Sequence, residues 1–290
     1  MSVSILIPCY NAGDKVLKAI GSAIAQPSVD EIVVLDDASD DGITVPLLNS
    51  AAKNMPKVKV LGFINNKGAQ VVRNELVSQS ARGDDRWLCF LDADDELIGE
   101  NSLSRRKHES ALVTYCDMEI ERYENNQQYV EPWPTNRLPL LRALARFEHV
   151  PSTSALLIKR SVFEQISWDT SDAYFKGMHC FKFLLDCLML GINVQHVPVM
   201  GILYRDGWSP DQISGTKNRL NRLIARYTWA KSFSQWLTRE NGGKYYIDDL
   251  NLGHAKFNQE WQTEISKAAN SGVAELPMID RASLLNEQFI

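Results

Sequence analysis

The chain has no C-x-x-C pair, no internal repeat, no low-complexity tract and no apolar run near the ~18 residues that cross a bilayer. Each absence removes a class. The five cysteines, Cys9, Cys89, Cys116, Cys180 and Cys187, are odd in number and scattered, which reads as reduced thiols in a cytosol-like compartment. No transmembrane helix is expected. The apolar start, Val3 to Pro8, is too short for a secretory leader and has no basic region before it. A glycine-rich phosphate loop is missing as well, which argues against ATP hydrolysis. So is an excess of basic charge. With 31 Lys and Arg against 36 Asp and Glu, the net charge of −5 disfavours a surface that grips nucleic acid throughout, while a local basic groove stays compatible. What remains is 290 residues, 44% hydrophobic and 23% charged, an ordinary soluble composition with length for one large or two small domains.

The first hundred residues alternate between short apolar runs and helical patterns. Val3 to Ile7, Glu31 to Leu35, Lys57 to Leu61 and Trp87 to Leu91 read as strands. Val16, Leu17, Ile20 and Ile24 mark a helix, and Gly68 to Ala81 another. Strands without alternation, separated by helices, predict a mostly parallel, Rossmann-like α/β sheet buried on both faces. Such sheets bind ligands beyond the C-terminal ends of their strands. Polar residues gather there: Tyr10 and Asn11, then Asp36 and Asp37, then Asp92 and Asp94.

The densest signal is Leu88-Cys89-Phe90-Leu91-Asp92-Ala93-Asp94-Asp95, a buried strand succeeded at once by three carboxylates. Like charges this close favour a cationic partner, and a hard divalent ion with oxygen ligands suits them. The plainer alternative is a solvated acidic turn that caps the next helix. From about residue 101 the pattern changes. Ala111 to Glu121, Gln128 to Trp133 and Ser154 to Ile158 read as strands, with the first two paired across Glu124-Asn125-Asn126. Leu138 to Phe147 and the segment around Phe181 to Leu188, ending near Gly191, read as helices. Val194 to Val197 and Gly201 to Tyr204 return to extended structure. After Gly215 the chain reads as helical. The segments are therefore 1–100, 101–215 and a C-terminal helical extension, 216–290.

Val3 to Pro8 with Cys9-Tyr10-Asn11, Glu31 to Gly42, Asn66-Lys67-Gly68 with Arg73-Asn74, and Phe90 to Asp95 together resemble inverting, nucleotide-sugar-dependent glycosyltransferases of family two, with the GT-A fold. The four pieces stand in that family's order and cover roughly the first hundred residues. The resemblance implies a nucleotide-sugar-binding half over 1–100 and an acceptor-binding half of the same domain over 101–215. Donor contacts then fall to Pro8, Tyr10, Asn11, Asp36, Asp37, Gly68, Arg73, Asp92 and Ala93. Asp37 or Asp36 would face the nucleobase and ribose, and a carboxylate there can accept from ring N–H and sugar hydroxyls. The planar fork of Arg73 suits a diphosphate. Asp94 and Asp92, as an Asp-x-Asp motif, would hold Mn²⁺ or Mg²⁺, a Lewis acid for the leaving nucleoside diphosphate.

The second half departs from that pattern. Where the family carries a Glu-Asp pair whose Asp is the general base, this chain has Met178 and His179. A neutral His accepts a proton near pH 7, so His179 is one candidate base, against a purely structural role. Asp169 and Asp172 in the preceding loop are the others. Tyr204-Arg205 resembles the family's closing Tyr-Arg, but Gly207-Trp208-Ser209-Pro210 lacks the basic or His-containing sequence usual after that pair. Trp208 reads either as a sugar platform or as a loop anchor. The tail, with Trp229, Phe233 and Trp236 among basic residues, reads as a helix packed on its own domain, in a homo-oligomer, or lying on a membrane. His108, His149, His196 and His254 lack ligand spacing and read as structural.

The expectation is a metal-dependent inverting transferase, cytoplasmic or peripheral to a membrane. It takes a nucleoside-diphosphate sugar, UDP-sugars ranking first, and a hydroxyl acceptor on a glycan or lipid carrier. Two rivals stay open: sugar transfer to modified DNA, a nucleic-acid acceptor ranked lower because of the acidic charge, and a nucleotide-sugar-binding protein without catalysis.

Overall fold

The computed structural model describes residues 2–83, 85–124, 127–133, 140–145, 151–170 and 179–206, with 252–253, 255–256, 259–260 and 262–263 in the tail. Outside them lie several expectations: Asp172, Met178, the Gly207-Trp208-Ser209-Pro210 loop, the turn at Asn125 and Asn126, His149, His254 and nearly all of the extension 216–290.

The first half runs β1 (Val3–Cys9), α1 (Lys15–Ile24), β2 (Val29–Asp36), α2 (Thr44–Asn54), β3 (Val58–Gly62), α3 (Ala69–Gln79) and β4 (Trp87–Phe90). The rest adds β5 (Glu96–Leu97), α4 (Ser102–Arg105), β6 (Val113–Glu124), β7 (Gln127–Trp133), α5 (Leu140–Ala145), β8 (Leu156–Lys159), α6 (His179–Met189) and β9 (Val194–Asp206). The nine strands among the described residues form one sheet in the order β3-β2-β1-β4-β8-β6-β9-β5, with β7 on β6. Strands β3, β2, β1 and β4 are mutually parallel, and β8 joins them antiparallel. Beyond it β6 and β9 pair in parallel, and β5 pairs antiparallel to β9. The expected α/β sheet is therefore present with flanking helices; it is mixed, with parallel pairing through β3, β2, β1 and β4 and between β6 and β9, and both halves of the chain share it.

Both faces of the central strands β1, β2, β4 and β8 are covered, which is why these strands lack alternation. On one face Ile5, Ile7 and Val34 meet Val16 and Ile20 of α1 and Leu48 of α2. On the other Leu6, Val33 and Phe90 meet Val72 and Leu76 of α3 and Phe183 and Leu184 of α6. Each such fully buried side chain contributes about 1.5–3 kcal/mol from apolar burial. Pro8 fits inside β1 because Leu6 accepts from Leu91 on the β4 side, and the residues two apart face the same neighbour. The missing N–H of Pro8 thus faces β4, whose ladder with β1 has already ended at Phe90.

Two elements differ from the sequence reading. Helix α2 does not stand out in the sequence, because only Thr44, Leu48 and Ala51 are buried along it. Its start is specified by Asp41, whose Oδ1 accepts from the N–H groups of Ile43 and Thr44 at 3.0 and 2.8 Å. The two extended pieces after Gly191 are one strand, β9. Its register jumps where Cys116 faces Val197 but Asp117 faces Met200, a bulge that absorbs Pro198.

Candidate functional site

The C-terminal ends of β1, β2 and β4 converge on one rim. Asn11, in a left-handed conformation with φ 47°, closes the turn after β1. Its N–H donates to Ser39 Oγ at 2.8 Å, and its side-chain oxygen accepts from the N–H groups of Asp40 and Asp41. The turn after β1 is thereby fastened to the turn after β2. Tyr10 beside it is half exposed and Pro8 partly buried. Burial pushes the Cys9 thiol up, and the charges of Asp36, Asp41 and Asp94 add to the rise, which marks how closely the acids of three turns approach.

Asp36 and Asp37 have separate tasks. Asp36 accepts from the hydroxyl of Ser39 at 2.5 Å and from its N–H at 3.0 Å. It also lines an open cleft of about 580 Å³ between α2 and the end of β3, with Ser39, Asn49, Phe63 and Ile64. None of Arg73, Asp92, Asp94 or His179 lines that cleft. Asp37 turns the other way and accepts from the N–H groups of Lys67 and Gly68 at 2.7 and 2.8 Å. Gly68 has φ +89°, a region L side chains rarely adopt, although a Cβ there would meet nothing. The carboxylate of Asp37 thus fixes the glycine turn that starts α3.

Arg73 on α3 is almost wholly buried, and its Nη2 donates to Asp92 Oδ1 at 2.7 Å. Its guanidinium lies 5.5 Å from the ring of Trp168. Trp168 is held by Asn74, which donates to its C=O at 2.8 Å and accepts from its N–H at 2.9 Å. The Arg73-Asn74 pair therefore serves one loop end and one distant aromatic.

After β4 the chain alternates outward and inward. Asp92 and Asp94 are partly exposed, while Ala93 and Asp95 are buried. Ala93 belongs to the hydrophobic core, on the inward side of the loop. Asp95 accepts from the hydroxyl of Ser154 at 2.5 Å and from the N–H of Arg205 at 3.2 Å. Burial raises its carboxyl well above the usual carboxylate range, and the charges of Asp94 and Asp92 add to the rise. No group of three ligating side chains stands ready for a metal among the described residues. Two partly exposed carboxylates nonetheless fit a hard divalent ion, since Mg²⁺ typically takes one or two carboxylates and completes its shell with substrate phosphate and water.

His179 opens α6 beside this group. Its Nε2 is 3.0 Å from the hydroxyl of Thr153, and its Nδ1 is buried without a partner. Burial, then the charge of Arg73, hold its imidazole well below the usual range. The ring stays neutral at pH 7, with one nitrogen taken by Thr153 and the other sealed from solvent. Asp169 is partly exposed, with Oδ2 3.9 Å from Lys182 Nζ. Sequence reasoning does not single out Asp95, Ser154, Trp168 or Thr153 as site residues. Only Asp95 carries a local signal, as the third acid of its run; Ser154 and Trp168 reach their partners from more than fifty residues away, and Thr153 reaches His179 from 26.

The model of Glycosyl transferase family 2 matches residues 4–167, more than half of the chain. Succinoglycan biosynthesis protein ExoO of Rhizobium meliloti (strain 1021) is 38% identical over 94 residues, 32% of this chain and 25% of that protein. The chain spans about a quarter of that relative. Among solved structures, S. aureus TarS 1-349 in complex with UDP-GlcNAc aligns with TM-score 0.58 at 14% identity, covering 97% of this chain and 95% of that one. Mannosyltransferase PcManGT from Pyrobaculum calidifontis, in complex with GDP-Man and Mn2+, aligns with TM-score 0.58 at 17% identity, covering 95% and 76%. At such identities the likeness concerns the fold, which is the GT-A arrangement expected from the sequence.

Proposed function

Because the chain belongs to glycosyl transferase family 2, we propose that it moves a sugar from a nucleoside-diphosphate donor to a hydroxyl acceptor, with inversion at the anomeric carbon. The observation that carries the reading is the pair Asp92 and Asp94, two partly exposed carboxylates on the rim formed by the ends of β1, β2 and β4. They would hold Mn²⁺ or Mg²⁺, which as a Lewis acid offsets charge on the leaving diphosphate. Arg73 orients Asp92 through its hydrogen bond rather than reaching the diphosphate itself. Tyr10 and Asn11 border the donor, and the cleft beside Asp36 offers room for a base. A UDP-sugar is the donor of choice, since a similar fold in TarS was solved with UDP-GlcNAc. A glycan or lipid-linked hydroxyl is the acceptor class, in keeping with a relative named for succinoglycan biosynthesis. No helix among the described residues is long and apolar enough to cross a membrane, which suits a cytoplasmic or membrane-peripheral enzyme.

The acceptor proton goes to Asp169 or Asp172, both earlier in the sequence than α6, rather than to His179. The support is the inward placement of both His179 nitrogens. Transfer from UDP-sugars, assayed with Mn²⁺ and again with EDTA, tests the reaction; transfer insensitive to EDTA would remove the metal from it. Asp169→Asn and Asp172→Asn test the base, with a loss of roughly 10²–10⁴-fold expected in one of them. A second reading, a donor-binding protein without transfer, draws on the same His179 observation. Mn²⁺-dependent donor binding with no turnover on any acceptor would favour it.

A further inference from the structure

The segment Asp92 to Glu96 runs from the loop after β4 into β5, and apart from the hydrogen bond of Arg73 to Asp92 the side chains that hold it come from the other half of the chain. Ser154, fully buried in the turn that leads into β8, uses both capacities of its hydroxyl here. Its Oγ accepts from the N–H of Asp92 at 3.0 Å, and its O–H donates to Asp95 Oδ2 at 2.5 Å. Arg205 of β9 supplies further holds. Its N–H donates to Asp95 Oδ1 at 3.2 Å, and its Nη1 donates to the carbonyl of Asp94 at 2.8 Å. The guanidinium is itself fixed by ion pairs with Glu96 and with Glu121, the latter at 2.6 Å. Asp92, Asp94, Asp95 and Glu96 are thus all gripped from the turn before β8 and from β9.

We infer that Ser154 and Arg205 are positioning residues that set the affinity of Asp92 and Asp94 for a divalent cation and the diphosphate it carries. The inference rests on the donor reading above. The outward carboxylates are held in place because the inward one is. With Asp95 tied down between a hydroxyl and a backbone N–H, the alternation of the loop leaves Asp92 and Asp94 facing the rim. Partners of this kind, one step behind a ligand, typically change metal affinity by about 10–100-fold when removed. Both residues are buried, so the metal-free contacts of a nucleotide on the β1 and β2 turns should not depend on them.

The test is calorimetric titration of the full chain with UDP, in MnCl2 and in EDTA, alongside thermal melting. Ser154→Ala should weaken Mn²⁺-dependent UDP binding about tenfold or more, leave binding in EDTA unchanged, and recover toward the parent in Ser154→Thr, which restores the hydroxyl. Arg205→Lys keeps the charge but cannot make every contact, and should produce the same selective loss; it reads the proposal independently if Ser154→Ala does not fold. Parent-like Mn²⁺-dependent affinity in either folded variant overturns the inference, and so does an equal loss in MnCl2 and EDTA. An unsubstituted chain whose UDP binding ignores Mn²⁺ overturns the donor reading itself, and the inference with it.

Discussion

Arg73 and Asp92 are joined by a 2.7 Å hydrogen bond between a guanidinium that is 2% exposed and a carboxylate that is 28% exposed. One partner is sealed under the rim and the other reaches out of it. An arginine that the sequence offers for a diphosphate is, in the folded chain, the support of a carboxylate offered for the metal. The contact crosses from α3 to the loop after β4 and makes the two motifs one unit.

Removing the buried partner should be costly. Breaking a buried ion pair typically destabilises by 3–5 kcal/mol, and the partial exposure of Asp92 sets the expectation for Arg73→Ala at about 3 kcal/mol. Arg73→Lys should recover only part, since an ammonium lacks the planar fork and the flat face near Trp168. Urea denaturation of the three proteins checks this, and parent-like stability of the alanine variant would contradict it.

Asp94→Asn should leave the fold intact, because the side chain is partly exposed at the rim. An amide cannot neutralise a divalent ion, so Mn²⁺-dependent UDP binding should fall by about 1.5–3 kcal/mol, the range for a charged hydrogen-bonding group. Unchanged calorimetric affinity in MnCl2 would take Asp94 out of the site.

Asp37→Ala should act first on stability, by about 1–3 kcal/mol, because it strands the N–H groups of Lys67 and Gly68. Asp36→Ala should instead weaken UDP binding, since this acid lines the open cleft. Melting curves and titrations on both variants separate the roles. A reversed pattern would mean that the base lies nearer Asp37.

His179 has a folded-state pKa below its unfolded value of about 6.5. The unfolded chain therefore binds a proton that the folded chain refuses as pH drops. Its contribution is fully favourable above about pH 6.5 and is lost as pH falls toward the lowered folded value. The parent should lose melting temperature over that range more steeply than His179→Gln. Transfer by His179→Gln at pH 7.5 should stay within about tenfold of the parent, well short of the 10²–10⁴-fold loss of a missing base. A larger loss would return the base to the helix.

Much of the rim is legible before folding. Unbroken apolar runs such as Glu31 to Leu35 and Trp87 to Leu91 announce strands buried on both faces, and the polar residues directly after them must fall at strand ends. Parallel pairing then brings Asn11, Asp36 and Asp92 to one side, a consequence of sequence order alone. What local sequence cannot state is which acid turns inward. Asp36 and Asp37 are identical neighbours, and only the Gly68 turn, thirty-one residues on, makes Asp37 the buttress.

The sequence by itself determined the family, the parallel half of the sheet and the turns that carry its acids, because those depend on short-range periodicity and on motifs a few residues long. Tertiary structure alone decided the contacts within the site. Arg73 met Asp92 instead of solvent, Asp95 was sealed beneath Ser154 and Arg205, and both His179 nitrogens turned inward. The physical reason is the same each time. A charged or polar side chain becomes ligand, support or base according to its burial and its partners, and those partners come from segments far away along the chain.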